Sequence, residues 1–288
     1  MGIVQEKRND NKEIPDNLDI FFDVSYKGMD GNPLHADIYR KKKANNLPVI
    51  IMVHGGGLFL GETRSSRPIA EYYASEGYLV AVISYRLLQE SDGISIISDV
   101  LAGYNFVYNH IEEFGGDPQK IFVTGESAGA FLAIMANSLS ASSRLAEALE
   151  LEASKLKITA MALFSGMIYT NRFDRVGLVY RKDLYGNKIW KKGFRKLIDP
   201  EGDEILNNMP PLLMSTSAGD FLQKYTLDYK KVLSRRDKTS VLINYPDKNL
   251  VHAFPIVEPS KEESKEVHHQ VIAFFNQYVG LSSSGWLL

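Results

Sequence analysis

The hydrophobic positions after about residue 48 form short apolar runs, separated by longer segments with helical periodicity. Each run has the length of a strand and is apolar at consecutive positions, which is typical of strands buried on both faces of a parallel sheet. The strands predicted in this series cover residues 49–53, 79–84, 121–124, 158–164, 212–217 and 241–245. The helices predicted between and after them cover residues 67–77, 98–114, 128–139, 223–233 and 261–278. This alternation predicts a mainly parallel sheet with helices on both faces.

Two further strand-like runs precede this series, at residues 21–26 and 34–39. The short segment between them contains glycine and proline, so the two runs are predicted to form an antiparallel hairpin. Together with the later runs they give about eight strands. We therefore expect residues 1–288 to form a single α/β domain.

One segment, residues 167–209, interrupts the alternation. It carries six aromatic side chains among many lysines and arginines. A connection of this length inside a compact domain is usually a lid or an insertion. We predict a cap over the functional site here, and an irregular surface excursion with its own aromatic cluster remains the alternative.

Composition and charge narrow the possible functions. The 33 basic and 35 acidic side chains give a formal net charge of −2, so no positive field of the whole molecule attracts nucleic acid or an anionic membrane. The chain contains no cysteine, which excludes disulfides, thiolate metal sites and cysteine nucleophiles.

The targeting signals considered at the amino terminus are weak. The first 17 residues contain no apolar run of the length that a signal peptide needs. Gly2 follows Met1, but Glu6 stands where a myristoylation signal has serine or threonine. No apolar stretch approaches the ~18 residues of a membrane span. The sequence therefore predicts a soluble, cytoplasmic protein.

The motif Gly-Glu-Ser-Ala-Gly at residues 125–129 lies between a predicted strand and a predicted helix. This is the context that a G-x-S-x-G nucleophile elbow requires. The turn must be sharp enough to expose the serine Oγ, and the flanking glycines let strand and helix pass without side-chain clashes. Ser127 is therefore the candidate nucleophile.

The run His-Gly-Gly-Gly at residues 54–57 follows another predicted strand. Consecutive glycines either form a plain turn or leave backbone N–H groups unshielded in a cavity. Such donors, together with the amide that follows the nucleophile, can bind the negative oxygen of a tetrahedral intermediate. We predict an oxyanion hole made by Gly55, Gly56 and Ala128, and we expect His54 to orient the loop rather than to act as the base.

Several shorter motifs accompany these two, and together they fall in the order and spacing of one known family. The shorter motifs are SYRL at 84–87, GDP at 116–118, SAGD at 217–220 and HAF at 252–254. On these residues the chain resembles an α/β-hydrolase of the hormone-sensitive-lipase-like esterase group, over roughly residues 20 to 279. The resemblance implies the α/β-hydrolase fold and esterase activity. Ser84 replaces the aspartate that usually opens its motif in that group, but no reacting group is lost.

The remaining members of a Ser…Asp…His series follow the nucleophile in the chain. His252 is the only histidine between the last predicted strand and the last predicted helix, where the base of this series belongs. Asp220 directly follows a buried strand and is the favoured acid. Asp247, five residues before the histidine, is the serious rival, whereas Asp228 falls inside a predicted helix and is expected to face solvent.

The residues and the resemblance together predict a serine carboxylic ester hydrolase. It would act on short-chain, medium-chain or small acylated esters through an acyl-enzyme, without a metal or an organic cofactor. An amide or formamide hydrolase or a peptidase that uses the same triad remains an alternative, as does a non-catalytic binding protein of the same fold. The expected partner is a small-molecule ester, and the oligomeric state is left open. The pair His268-His269 is expected at the surface.

Overall fold

The computed structural model describes residues 14–280 of the chain. The signals considered at Gly2 and Glu6 lie outside these residues. Among the described residues, no helix combines the length and the apolar character that crossing a membrane requires.

Eight strands form one sheet in the order β1-β2-β4-β3-β5-β6-β7-β8. Their bounds are β1 Leu18–Lys27, β2 Pro33–Lys41, β3 Leu47–Val53, β4 Leu79–Ile83, β5 Gly116–Glu126, β6 Ala160–Phe164, β7 Leu212–Ser217 and β8 Ser240–Tyr245. Strand β2 pairs antiparallel with β1 and with β4, and all the other pairs are parallel. The predicted hairpin and the mainly parallel eight-stranded sheet are confirmed.

Ten α-helices lie between and after the strands within residues 14–280. Their bounds are α1 Arg67–Ser75, α2 Gly93–His110, α3 Ala128–Ala141, α4 Ser143–Leu149, α5 Arg175–Tyr185, α6 Phe194–Leu197, α7 Asp203–Leu206, α8 Gln223–Arg235, α9 Phe254–Val257 and α10 Glu262–Asn276. Three short 3₁₀ helices cover Thr63–Ser66, Ile111–Phe114 and Gly186–Trp190.

The sheet is buried on both faces because successive apolar side chains of a strand point to opposite sides. In β3, Ile51 and Val53 pack into a cluster with α2 and α3. Ile50 and Met52 pack into a second cluster on the other face, with α1 and α10. This is why the central strands have no polar alternation, and it confirms the predicted helices on both faces.

Helix α2 begins earlier than predicted. It starts at Gly93, where the Asp92 side chain accepts a hydrogen bond from the Ser95 amide at 2.8 Å. It ends at His110, and a 3₁₀ turn completes the segment that the sequence assigned to the helix. An aspartate three residues before a free amide is an N-cap signal that the periodicity alone did not reveal.

The expectation that His268 lies at the surface is wrong. Its side chain is buried, accepts a hydrogen bond at Nδ1 from Tyr73 Oη at 2.7 Å and donates from Nε2 to the Pro255 carbonyl at 2.8 Å. Burial lowers the pKa of His268 to about 4, so the ring is neutral at pH 7.

The segment between β6 and β7 is mostly helical and contains α5, α6 and α7. Its start is anchored by Arg172, whose Cζ lies 3.3 Å from the ring centroid of Tyr169. The same guanidinium donates to Asp228 at 3.0 Å and to Glu201 at 3.1 Å. Helix α5 contacts α2, so this segment packs onto the main body of the fold.

Candidate active site

Ser127 occupies the sharp turn between β5 and α3. Its backbone has φ 51° and ψ −116°, a conformation that side chains other than glycine seldom adopt. The turn is held by hydrogen bonds from the Ser127 amide to the Phe164 carbonyl and from the Met167 amide to the Ser127 carbonyl, both at 2.9 Å. A Cβ at Gly129 would overlap the Val53 carbonyl oxygen, so only glycine permits this crossing of helix and strand.

A continuous chain of hydrogen bonds connects Ser127, His252 and Asp220. Ser127 Oγ lies 2.9 Å from His252 Nε2, and His252 Nδ1 donates to Asp220 Oδ1 at 2.6 Å. Ser127 follows β5, Asp220 follows β7 and His252 follows β8. The parallel strands therefore bring together three side chains that the sequence separates by up to 125 positions.

The Asp220 carboxylate is buried, and both of its oxygens accept hydrogen bonds. Oδ1 also accepts from the Leu222 amide, and Oδ2 accepts from Thr216 Oγ1, each at 2.8 Å. Burial raises the pKa of Asp220, but the hydrogen bonds from His252, Leu222 and Thr216 outweigh this effect and hold the pKa below its ordinary value. The carboxylate is therefore charged at neutral pH.

The two rival aspartates have other partners. Asp247 Oδ1 is exposed and accepts from the Asn249 amide at 2.8 Å and from its side-chain amide at 3.0 Å. Asp228 lies in α8 and binds Arg172 and Lys224. The structure thus brings Asp220, and not its rivals, to the imidazole.

Gly55, one of the predicted oxyanion donors, has a hydrogen-bond acceptor within the protein. The Gly55 amide donates to Glu126 Oε1 at 2.6 Å and is not free to bind a substrate oxygen. Burial raises the pKa of Glu126 to about 7, and the hydrogen bond from Gly55 opposes this rise. The Gly55 amide therefore fixes the loop against the elbow. The motif alone does not reveal which of its three glycine amides has an acceptor within the protein.

Three neighbouring amides remain without an acceptor within residues 14–280. They belong to Gly56, Gly57 and Ala128. Ala128 is the first residue of α3, where no intrahelical acceptor exists for its N–H. Gly56 and Gly57 have φ of +99° and +64°, which turn the loop backbone as only glycine does readily. Gly57 was missed in the sequence, because the motif contains three equivalent glycines.

A tyrosine hydroxyl from α5 approaches this loop. A Cβ built on Gly57 would lie 2.8 Å from Tyr180 Oη, and the Tyr180 ring packs against Phe59 with centroids 6.0 Å apart. Burial raises the pKa of Tyr180, so the hydroxyl keeps its proton. No motif marks Tyr180 in the sequence, since its place depends on how the segment folds over the loop.

His54 has the orienting position that was expected. Its Nδ1 donates to the Gly55 carbonyl at 3.0 Å, and its ring stacks on Tyr85 with centroids 4.1 Å apart. Tyr85 Oη donates to the His54 carbonyl at 2.7 Å. Burial lowers the pKa of His54 to about 4, so a neutral ring supports the loop.

One exposed aromatic ring packs against the imidazole of His252. The Phe221 ring lies 4.2 Å from the His252 ring, centroid to centroid, and is 74% exposed. Phe59 and Leu60, which follow the glycine loop, are also exposed. Within residues 14–280, no group of three or more metal-ligating side chains is arranged to hold an ion.

Comparison with known proteins gives one family match. The sequence model of the BD-FAE family matches residues 36–199, which include both the glycine loop and the elbow. Gut esterase 1 of Caenorhabditis elegans is 40% identical over 117 residues. The aligned part is 37% of this chain and only 20% of that protein, so the chain spans about a fifth of this relative.

Solved structures extend the likeness to nearly the whole chain. Esterase B from Lactobacillus rhamnosis superimposes with a TM-score of 0.82 and 21% identity, over 94% of this chain and 89% of its own. Brefeldin A esterase, described as a bacterial homologue of human hormone sensitive lipase, has a TM-score of 0.69 and 19% identity, over 92% and 78%. These likenesses confirm the predicted α/β-hydrolase fold and agree with the resemblance to the hormone-sensitive-lipase-like group.

Proposed function

The chain belongs to the BD-FAE family, and we propose that it is a serine carboxylic ester hydrolase. The observation that carries the proposal is the chain of hydrogen bonds from Ser127 Oγ through His252 to the charged Asp220. Its Ser127 end adjoins the Ala128 amide, which has no hydrogen-bond acceptor within residues 14–280. A nucleophile, a base and oxyanion donors are the groups that acyl transfer requires.

The first half of the reaction forms an acyl-enzyme. Ser127 Oγ attacks the carbonyl carbon of the ester while its proton moves to His252 Nε2. The carbonyl π electrons move to the oxygen, which becomes an oxyanion. We assign its stabilisation to the amides of Gly56, Gly57 and Ala128. When this intermediate collapses, the bond to the alkoxy oxygen breaks and the imidazolium returns the proton to the leaving alcohol.

The second half releases the acid. His252 takes a proton from water, the hydroxide attacks the acyl carbon, and the bond to Ser127 Oγ breaks as the serine regains its proton. Asp220 holds the imidazole so that Nε2 faces the serine, and its negative charge stabilises the imidazolium in both halves. The reaction consumes one water and uses no other co-reactant.

We assign the segment of residues 167–209 the role of a cap within a single domain. Its helix α5 brings Tyr180 to the glycine loop, beside Phe59. A cap this close to the oxyanion donors limits the length of the acyl group. We therefore propose short-chain, medium-chain or small acylated esters as substrates. The cytoplasmic location remains a prediction.

A matched pair of substrates tests ester against amide hydrolysis. The pair is 4-nitrophenyl acetate and 4-nitroacetanilide, which differ only in the atom that leaves. The proposal predicts turnover of the ester and none of the anilide above background. Comparable rates on both would assign an amidase, and no turnover of either would leave the fold with a non-catalytic role.

A further inference from the structure

The insertion between β6 and β7 carries a strong local positive charge. Residues 173–198 contain eight lysines and arginines but two acidic residues, Asp174 and Asp183, a net charge of +6 in a chain whose total is −2. Within residues 14–280, Lys188 is the only one of the eight that forms an ion pair, with Glu150 at 2.6 Å. Most of this charge is therefore not neutralised by the protein itself.

Large apolar side chains are exposed on the same segment. Leu178 and Val179 in α5 are 63% and 55% exposed, and Trp190 and Phe173 are 71% and 66% exposed. Exposed apolar groups interleaved with cations are typical of surfaces that lie in a lipid headgroup layer. We call residues 173–198 the basic face.

On its solvent side, helix α5 presents exposed apolar side chains together with cations. Arg175, Leu178, Val179 and Lys182 are all exposed and are three, four and seven positions apart, which places them on one side of the helix. The apolar pair lies in the middle, and a cation lies at each end. On an ordinary surface helix this side would be polar throughout.

Two arginines are held close to an exposed aromatic ring. The Cζ atoms of Arg181 and Arg195 each lie 4.4 Å from the ring centroid of Phe173. Neither guanidinium has a carboxylate partner within residues 14–280, and Arg195 Nη2 donates to the Asn171 carbonyl at 3.2 Å. A guanidinium without a carboxylate partner can bind a phosphate group with two parallel hydrogen bonds.

These observations lead to a lipid partner. We propose that the basic face docks the protein on a membrane that contains anionic lipid. A nucleic acid or an acidic protein surface would satisfy the charge but would leave Leu178, Val179 and Trp190 without an apolar environment. A lipid layer provides for the charge and for the apolar side chains together. The cations bind the anionic headgroups, and the apolar side chains enter the boundary between headgroups and acyl chains. The net charge of −2 indicated no attraction to an anionic membrane because it is a sum over the whole chain, in which the local positive charge of this segment is hidden.

The basic face adjoins the candidate active site. Tyr180, which reaches the glycine loop, directly follows Val179 in α5. Its ring packs on Phe59, an exposed residue that follows that loop. Docking by this face would therefore bring the site close to esters held in the lipid layer.

Sedimentation with vesicles tests the docking. The full chain is mixed with vesicles of phosphatidylcholine alone or of phosphatidylcholine with 30% phosphatidylglycerol. Binding is expected only to the anionic vesicles, and it should fall as salt is raised. The double variant K191Q/K192Q should lower partitioning roughly 25-fold, taking about fivefold for each charge at the surface. The matched control K41Q/K42Q removes two exposed lysines from the end of β2 and should leave binding unchanged.

Fluorescence separates lipid from other polyanions. The sequence contains two tryptophans, Trp190 and Trp286, so the variant W286F reports on Trp190 alone. Its emission should shift to the blue with anionic vesicles and stay unchanged with heparin. The proposal is overturned by equal binding to both vesicle types, by no binding, by equal losses in K191Q/K192Q and K41Q/K42Q, or by heparin binding without vesicle binding. Because none of these measurements needs ester turnover, the docking and the proposed function can fail independently.

Discussion

The Gly55 amide nitrogen lies 2.6 Å from Glu126 Oε1, so the residue before the nucleophile holds the first amide of the glycine loop. This contact joins the loop after β3 to the end of β5. It also places a carboxyl group in a buried position, where burial raises the pKa to about 7. The loop is therefore positioned by a group that titrates near neutral pH.

The Glu126 carboxyl makes stability depend on pH. Because its pKa is raised in the folded state, the folded protein binds this proton more tightly than the unfolded chain does. The associated stability is fully present below about pH 4.5 and is lost as the pH rises from there through about 7, by up to roughly 3 kcal/mol. Glu126→Gln keeps an oxygen acceptor for Gly55 but removes this titration.

Urea unfolding at pH 5 and pH 8 measures this effect in the wild type and in Glu126→Gln. The free energy of unfolding of the wild type should fall between pH 5 and pH 8 through the Glu126 titration. The variant lacks this titration, so its free energy of unfolding at pH 8 should be higher relative to the wild type than it is at pH 5. Parallel changes in both proteins would mean that Glu126 does not titrate in this range.

Gly57→Ala tests the contact between the glycine loop and the cap. The new Cβ would lie 2.8 Å from Tyr180 Oη, so the hydroxyl or the loop must move, and the free amides move with it. Loss of an oxyanion donor typically costs about 10² to 10³ in turnover, so we expect a loss of at least about tenfold in kcat/KM on 4-nitrophenyl butyrate. Adding Tyr180→Phe removes the clashing oxygen and should recover part of the activity. Additive losses in the double variant would show that the two residues do not interact.

Asp220 and its rival can be separated by two matched substitutions. Asp220→Asn keeps the shape but removes the negative charge beside His252, and we expect a loss on the order of 10⁴ in kcat. Asp247→Asn alters an exposed turn with Asn249 and should change kcat little. Circular dichroism checks that both variants are folded. A larger loss in the Asp247 variant would contradict the assignment of the acid.

The cap makes a prediction about acyl length. With Tyr180 and Phe59 packed beside the oxyanion donors, acetate and butyrate esters should be hydrolysed faster than long-chain ones. A series of 4-nitrophenyl esters from two to sixteen carbons measures this preference through kcat/KM. Faster hydrolysis of the longest members would require an acyl channel that the cap leaves open.

Much of the fold could be predicted from the sequence because buried parallel strands are apolar at every position. The start of α2 was missed because its signal is a single capping side chain, Asp92, and not a periodic pattern. His268 was misplaced because its side chain is buried by contacts with Tyr73 and with the Pro255 carbonyl, and no local pattern reveals either.

The candidate site could be predicted where a residue type at the end of a strand is sufficient, as at Ser127 and His252. The site could not be predicted where it depends on the direction in which a backbone amide or a side chain points. Which glycine amides are free depends on the Glu126 side chain, and the place of Tyr180 depends on how α5 packs. Both are tertiary contacts between segments far apart in the chain.

Mass spectrometry of the trapped enzyme tests the central claim most directly. The protein is treated with a 4-nitrophenyl alkylphosphonate, which phosphonylates an activated serine, and is then digested and sequenced. We predict one adduct per chain, located at Ser127, with loss of ester turnover in proportion to labelling. Ser127→Ala should give no adduct and should lower turnover by about 10⁴-fold or more. An adduct on another residue, or unchanged turnover in a folded Ser127→Ala variant, would contradict the account.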